Sequence, residues 1–412
     1  MRELKVDTSE DPVSLDIIQV LQLRAANDPW LSGLKTFVCV EATEAIVPFI
    51  HIFLSPGTTN ISITFAKDGS KVVVGSTIAR LSTLCPGLKD INLCKLPRDP
   101  IITEAVSEML LACNRDILQA FDVHSPLTEE AREVVYRLPR LSQLWAIIRG
   151  PTSLPTVALP NLIAIYVEYD DLNWLQGFHG ATLTSLEFIT FRSKSEEIGD
   201  FLGAFETAAL TTSAQNTLSG FKFCTSRPWD LKYSSLLAFR QLKDVEIQFS
   251  CEGGCSSRVD DDIILNLARA MPKLETLQLG GKPCATPNGI TFNGFIGLAR
   301  LCPHLSKLCI HFQPTTLVEA ATSASALPSS KNEPVIRRED CALTVLEVGN
   351  TPLPAQSNME VALILFQIFP RILNIKYINK EWRAVAQTIQ WLRQVATFVH
   401  RAGKAWHPTH TQ

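Results

Sequence analysis

Along the chain one short signature keeps returning: an apolar residue, two positions of any kind, an apolar residue, one position of any kind, and a third apolar residue. A further apolar side chain or a proline commonly opens it. With the middle apolar residue as anchor, copies fall at Leu4, Phe37, Ile61, Ile91, Phe121, Leu144, Ile165, Leu186, Phe221, Val245, Leu277, Leu308, Leu346 and Ile375. The plainest read LCPGLKDINL at 84–93, LPNLIAIYV at 159–167, MPKLETLQL at 271–279 and LCPHLSKLCI at 301–310. Inside each copy apolar and polar residues alternate, which predicts a short strand with one buried face. The anchors lie about 28 residues apart on average, a spacing typical of repeat proteins.

Between the strands the spacing turns helical. Ile263, Leu267 and Ala270 follow Asp260, Asp261 and Asp262, where acids suit the positive end of a helix dipole. Phe295, Leu298 and Ala299, and likewise Val361, Leu365 and Ile368, share the same three-and-four spacing. One strand plus one helix cannot bury its own apolar face, whereas stacked copies share a continuous core. The expected fold is therefore α/β, a leucine-rich-repeat solenoid (horseshoe) with parallel strands on the concave face and helices on the convex face. The alternative, an ordinary doubly wound domain, would need this many copies to recur by chance.

The array is expected to fill residues 1–380 as one unit, interrupted at 320–340 by a small-residue and charged stretch that reads as a disordered surface insertion. Ser329 and Ser330, near Arg337 and Arg338, would be its phosphorylation candidates. Residues 381–402 read as a C-terminal capping helix, with Trp382, Val385, Ile389, Leu392, Ala396 and Val399 on one stripe, and a partner-binding helix is the other reading. Residues 403–412 read as a disordered tail.

Composition narrows the function. The 38 Lys and Arg against 41 Asp and Glu leave a net charge of -3, so no global basic field recruits nucleic acid or anionic lipid. The first ten residues lack the apolar core of a secretory signal, and the longest apolar run, 361–369, is broken by Gln367 and far shorter than a bilayer span. Eleven scattered cysteines, several in apolar settings, read as reduced thiols and so suggest cytoplasm or nucleus.

Cys85 and Cys302, each just ahead of a proline, give a form that resembles the cysteine-containing leucine-rich repeats of F-box proteins, and the irregular repeat lengths and Leu-Pro entries at Leu138 and Leu159 are similar to the fungal F-box/leucine-rich-repeat set. The resemblance implies a substrate receptor of a cullin-type ubiquitin ligase, with a protein client held on the concave face and the ligase adaptor as a second partner if an F-box exists upstream. The F-box itself is not evident: Leu4 and Val6 already read as a repeat strand, and Ile17, Ile18, Leu21 and Leu23 as its helix, the alternative being a worn F-box remnant at 12–23. A first strand that leaves apolar core uncapped leads to the expectation that the native product carries further residues upstream, or that this form aggregates or recruits a capping partner. Without a ligase role, the same scaffold would serve as a stand-alone regulator or inhibitor of an enzyme.

Candidate chemistry is sparse. Cys251 and Cys255 in CEGGC lack the second ligand pair that tetrahedral zinc needs, and His407 and His410 sit in the tail. The Gly280 to Pro283 stretch lacks the spacing of a phosphate loop, and the acids at 260–262 are accounted for by a helix start. His124 and Ser125, beside Pro126, read as a strand-end turn rather than part of a triad. No enzyme, metal or cofactor is expected, although a hydrolase site assembled from distant residues is the third reading.

The binding surface follows from strand alternation. The residue between the two inward positions of each copy points away from the core: Val38, Ser62, Asn92, Asp122, Trp145, Tyr166, Glu187, Lys222, Glu246, Gln278, Cys309, Glu347 and Lys376. Trp145 and Tyr166 fall on adjacent rungs, flanked by Asp122, Glu168 and Glu187. Exposed paired aromatics are common interface hot spots, so these five residues are the expected partner-binding site, taking an apolar side chain between the rings and a Lys or Arg at the acidic rim. A one-residue slip of register would instead bury both rings.

Overall fold

The computed structural model describes residues 2–8, 20, 31, 33–67, 69–148, 161–169, 184–190, 214–225, 233–249, 259–280, 289–312, 341–349, 351–353 and 357–405. The chain divides into two compact units, residues 1–191 with 207–217, and residues 192–206 with 218–412.

In the first unit eight strands lie side by side in chain order, each parallel to the next: β1 Glu3–Asp7, β2 Thr36–Ala42, β3 Asn60–Phe65, β4 Asp90–Cys94, β5 Ala120–Pro126, β6 Gln143–Ile148, β7 Ala164–Tyr169 and β8 Ser185–Thr190. Their anchors pair in one unbroken row, Leu4 to Phe37, then Ile61, Ile91, Phe121, Leu144, Ile165 and Leu186. The second unit repeats the arrangement with β9 Gly220–Thr225, β10 Asp244–Phe249, β11 Thr276–Leu279, β12 Lys307–Ile310, β13 Val345–Gly349 and β14 Asn374–Tyr377, whose anchors run from Phe221 through Val245, Leu277, Leu308 and Leu346 to Ile375. Each unit is thus a parallel β/α repeat array in which crossovers return the chain by one strand.

The longer helices described in the first unit are α1 Lys71–Leu84, α2 Pro100–Ala112 and α3 Glu129–Val135, while α4 Asp261–Ala270, α5 Phe292–Leu301, α6 Asn358–Ile368 and α7 Trp382–Ala405 belong to the second. Neighbouring helices pack on one another, α1 on α2 and α4 on α5, and Phe37, Ile61, Ile91 and Phe121 fill the first core as Phe221, Val245, Leu277 and Leu308 fill the second.

A recurring hydrogen-bond device explains how so few residues per strand hold register. The carbonyl just ahead of each strand accepts two successive N–H groups from the next repeat: Thr59 O takes Lys89 and Asp90, Lys89 O takes Gln119 and Ala120, Lys243 O takes Glu275 and Thr276, and Ser306 O takes Thr344 and Val345. A hydroxyl often adds a third donor, as Ser142 does to Gln119 O at 3.0 Å and Thr344 to Ser306 O at 3.2 Å. The carbonyl's two lone pairs and broad acceptance make this sharing possible.

Helix starts bind one repeat to the next. Asp260 caps α4 by accepting from Ile263 N at 2.9 Å, as consecutive acids there suggest. Asp261 instead reaches into the following repeat, where its carboxylate accepts from Thr291 N at 2.8 Å, Gly294 N at 3.1 Å and the Thr291 hydroxyl at 2.6 Å, all at the start of α5. The cysteine ahead of proline also ties neighbouring repeats together, since buried Cys302 donates weakly to Ala268 O and Met271 O at the end of α4, at 3.8 and 3.7 Å. Burial pushes this thiol up to about 12, and Cys85 up to about 11.

Two expectations need correction. In α4 the buried residues are Ile264, Leu267 and Ala268, with Ile263 and Ala270 only half-buried, so the helix is rotated by about one residue from the expected phase. In the last helix Trp382, Val385 and Ile389 are buried but Leu392 is half-buried and Ala396 and Val399 are exposed. The packed end is held by Trp382, whose Nε1 donates to Thr351 O at 2.8 Å and whose ring lies 5.7 Å from that of Phe312. Beyond it Trp391 and Phe398 stand in solvent, 56% and 73% exposed. Among the described residues no helix is long and apolar enough to cross a membrane.

The expectations for Ile17, Ile18, Leu21 and Leu23, for Leu159, Cys251, Cys255, Ser329, Ser330, His407 and His410, and for residues 281–283 and 320–340 fall outside the described residues.

Candidate protein-recognition face

Because side chains alternate along a strand, the residues between Leu93 and its neighbours on β4, and between Phe121, Val123 and Ser125 on β5, stand on the face away from the core. Register then sets them across from one another. Asn92 pairs with Asp122, Asp122 with Trp145, Trp145 with Tyr166 and Tyr166 with Glu187, so this expected row is continuous from β4 to β8. Trp145 is half-buried between Leu144 and Ala146, which are both buried. Its ring therefore belongs to the outer row rather than to the core. Glu168 sits two rungs beyond Tyr166, paired with Ile147 and Ile189, and the side chains of Tyr166, Glu168 and Glu187 lie outside the described residues.

The strand carrying Asp122 is irregular at this point. Between the pairs Asp122 with Trp145 and Pro126 with Ile147, β5 spends four residues where β6 spends two. Such a bulge bends the strand and re-aims its side chains. His124 lies within the bulge and its ring rests on Trp145, centroids 3.7 Å apart and planes tilted by 32°. His124 and Ser125 are therefore part of β5, and the strand-end turn expected from the sequence is not what forms.

Three chemically active side chains meet beside Trp145. The Sγ of Cys94, a carboxylate oxygen of Asp122 and a ring nitrogen of His124 all lie within 4.8 Å of one another. Asp122 Oδ1 stands 3.4 Å from His124 Nε2, close enough to attract but not aligned as a hydrogen bond, and both atoms are shut off from solvent without a hydrogen-bond partner. The Cys94 thiol donates to Asn92 Oδ1 at 2.9 Å. Burial pushes its pKa up, Asp122 pushes it further, and Lys95 opposes both. A thiolate, whether nucleophile or metal ligand, needs the reverse shift, which an adjacent cation supplies.

In the second unit the same row reads Lys222, Glu246, Gln278, Cys309, Glu347 and Lys376. Here opposite charges lie side by side: Lys222 Nζ is 3.9 Å from Glu246 Oε2, and Gln248 donates to Glu246 Oε1. Burial, then Glu347, pushes the Cys309 thiol up to about 12, and burial lowers His311 against the pull of Glu347. The sequence expectation reached the row itself but missed Cys94 and His124, each two residues past a row member.

No protein-family model matches the chain, and no curated protein does. Among solved structures it is similar to a chain in "Crystal structure of Rad7 and Elc1 complex in yeast", with 14% identity over 82% of this chain and 84% of that one and a TM-score of 0.40. So loose a superposition assigns neither a family nor a partner.

Proposed function

We propose that this protein is a non-catalytic recognition scaffold whose repeats are of the leucine-rich kind, and that a protein client binds the outer strand face of its first unit. One observation carries the reading: the register sets Asp122, Trp145, Tyr166 and Glu187 on successive rungs, with Trp145 directed away from the core. Rows of parallel strands present side chains at fixed spacing without loop ordering, which lowers the entropic cost of binding an extended surface. Aromatic rings at the centre and carboxylates at the rim suit a segment with an apolar anchor and a Lys or Arg beside it. The cellular role we favour is that of a substrate receptor of a cullin-type ubiquitin ligase, or a relic of one, in cytoplasm or nucleus.

The test is affinity capture with the tagged full chain, compared with a Trp145→Ala, Tyr166→Ala double variant. Loss of the client by the double variant, with thermal unfolding nearly unchanged, is the expected result, and undiminished capture would overturn the site. Recovery of a ligase adaptor and cullin supports the receptor role. A client recovered without them makes the chain a stand-alone regulator.

A further inference from the structure

We infer that Cys94, Asp122 and His124 form a three-ligand zinc site on the outer face of the first unit, with a fourth position open to water or to a side chain from a bound protein. A tetrahedral ion bound at about 2.0–2.1 Å by nitrogen and oxygen sets those two atoms about 3.3–3.4 Å apart. Asp122 Oδ1 and His124 Nε2 are separated by 3.4 Å, and neither has a hydrogen-bond partner although both are closed off from solvent. That combination is one edge of a coordination tetrahedron, whereas a carboxylate and imidazole left to themselves would align a hydrogen bond. The Cys94 sulfur lies within 4.8 Å of both, so small side-chain rotations complete the set.

The surroundings hold these ligands in place. Asp122 and His124 are two apart on bulged β5, which brings both to the same side, and Cys94 comes from β4 one repeat earlier, one rung beyond the Leu93 to Val123 pair. Trp145 lies against the imidazole, centroids 3.7 Å apart, and restricts its plane, while the hydrogen bond from the Cys94 thiol to Asn92 Oδ1 is given up when the thiolate binds the ion. Groups that orient the ligands in this way are what tune affinity at a metal site. The donor set selects the ion. A thiolate with an imidazole and one carboxylate suits zinc, while magnesium and calcium require oxygen donors throughout. Three protein ligands with an open fourth position is the pattern of zinc sites that exchange a ligand. The site shares Asp122 and Trp145 with the recognition row proposed above, but its first three bonds need no client, so metal binding is tested without one.

Cobalt(II) added to the metal-free full chain tests the proposal directly. The expected spectrum has a thiolate-to-cobalt charge-transfer band and the strong visible bands of a four-coordinate ion, both displaced by zinc alone. Cys94→Ser removes the charge-transfer band, and Cys94→Ser and His124→Gln each weaken zinc binding by more than about 100-fold, beyond the loss expected for an orienting residue. Cys309→Ser, in the second unit, leaves band and affinity unchanged. Circular dichroism confirms that each variant is folded. X-ray absorption at the zinc edge of the wild-type protein needs no variant and should show one sulfur with nitrogen and oxygen neighbours. The absence of a band in the wild type, its survival in Cys94→Ser, or a sulfur-rich or sulfur-free zinc shell would each overturn the site.

Discussion

On β9 and β10 of the second unit, Lys222 and Glu246 stand opposite each other at 3.9 Å, and Gln248 donates to the same carboxylate. At the corresponding rungs of the first unit, Asp122 Oδ1 and His124 Nε2 are enclosed with no hydrogen bond, beside an indole that is only half covered. Both faces are parallel ladders, but β5 is bulged between Asp122 and Pro126 whereas β9 and β10 pair without a shift. The side chains at the row positions differ as well. A face that pairs its own charges gains little from a visitor, because the visitor would have to replace bonds already made. A face with unmet polar groups next to exposed aromatic surface gains both ways. This contrast is why the proposed recognition site is placed on the first unit.

The largest effects should ignore this contrast, because they concern the core that both units share. Phe121→Ala and Phe221→Ala remove fully buried rings at equivalent anchors, and each should cost about 3–5 kcal/mol. Denaturant unfolding with hydrogen exchange would check this, with protection lost from the strands of the substituted unit. A much smaller cost at one anchor would mean that its core is not packed as described.

Binding should divide the units sharply. Truncating Trp145 or Tyr166 is expected to weaken client capture by about 30-fold or more, each ring contributing roughly 2 kcal/mol. Replacing Lys222 and Glu246 together by alanine should leave capture within about twofold, since this half-buried pair lies in the second unit, away from the proposed site. Titration of the tagged variants against the captured client measures both. Equal losses in the two units would erase the contrast.

A smaller effect concerns support within the second unit. Asp261→Ala strips three hydrogen bonds from the start of α5 and should cost about 1–3 kcal/mol in thermal unfolding. Gly294→Ala should act on the same contact, because a Cβ there would meet Asp261 Oδ1 at 2.5 Å. Gly349→Ala adds a left-handed backbone strain, at a φ of +57°, to a collision with the His311 ring.

The smallest effect is a pH dependence common to both units. Burial raises the thiol of Cys85 to about 11 and those of Cys113 and Cys302 to about 12, from an ordinary value of 9.0. A group whose folded pKa is raised binds its proton more tightly when folded, so its contribution is fully present below about 9. It is lost as pH rises from about 9 towards 12. Thermal midpoints should be flat up to pH 9 with respect to these groups and fall above it, and Cys302→Ala should blunt the fall.

The strand ladder was legible in the sequence because alternation and register are linked: once Phe121 and Leu144 are inward, Asp122 and Trp145 must be outward on facing rungs. Within each unit the backbone pairing of the row positions therefore follows the alternation. Helix phase was less legible. At 263–270 the residues Ile263 and Ile264 are both apolar, and it is Ile264 that is buried. The trio around His124 was hidden for another reason. Cys94 lies a full repeat from Asp122 in the chain, and only the ladder brings them together. Reading a second outward position on every strand, two residues past Asn92 and Asp122, would have exposed it. The bulge that aims His124 at Trp145 has no signature of its own in HSP at 124–126.

If the outer strand face of the first unit, and not that of the second, meets the client, then a photo-crosslinking amino acid should report it from one unit alone. One protein carries the crosslinker at position 143, exposed on β6 two residues before Trp145, and a separate protein carries it at position 278 on β11. A covalent client adduct is expected from position 143, competed away by unlabelled wild-type protein, with none from position 278. An adduct at 278 with none at 143 would show that recognition belongs to the second unit instead.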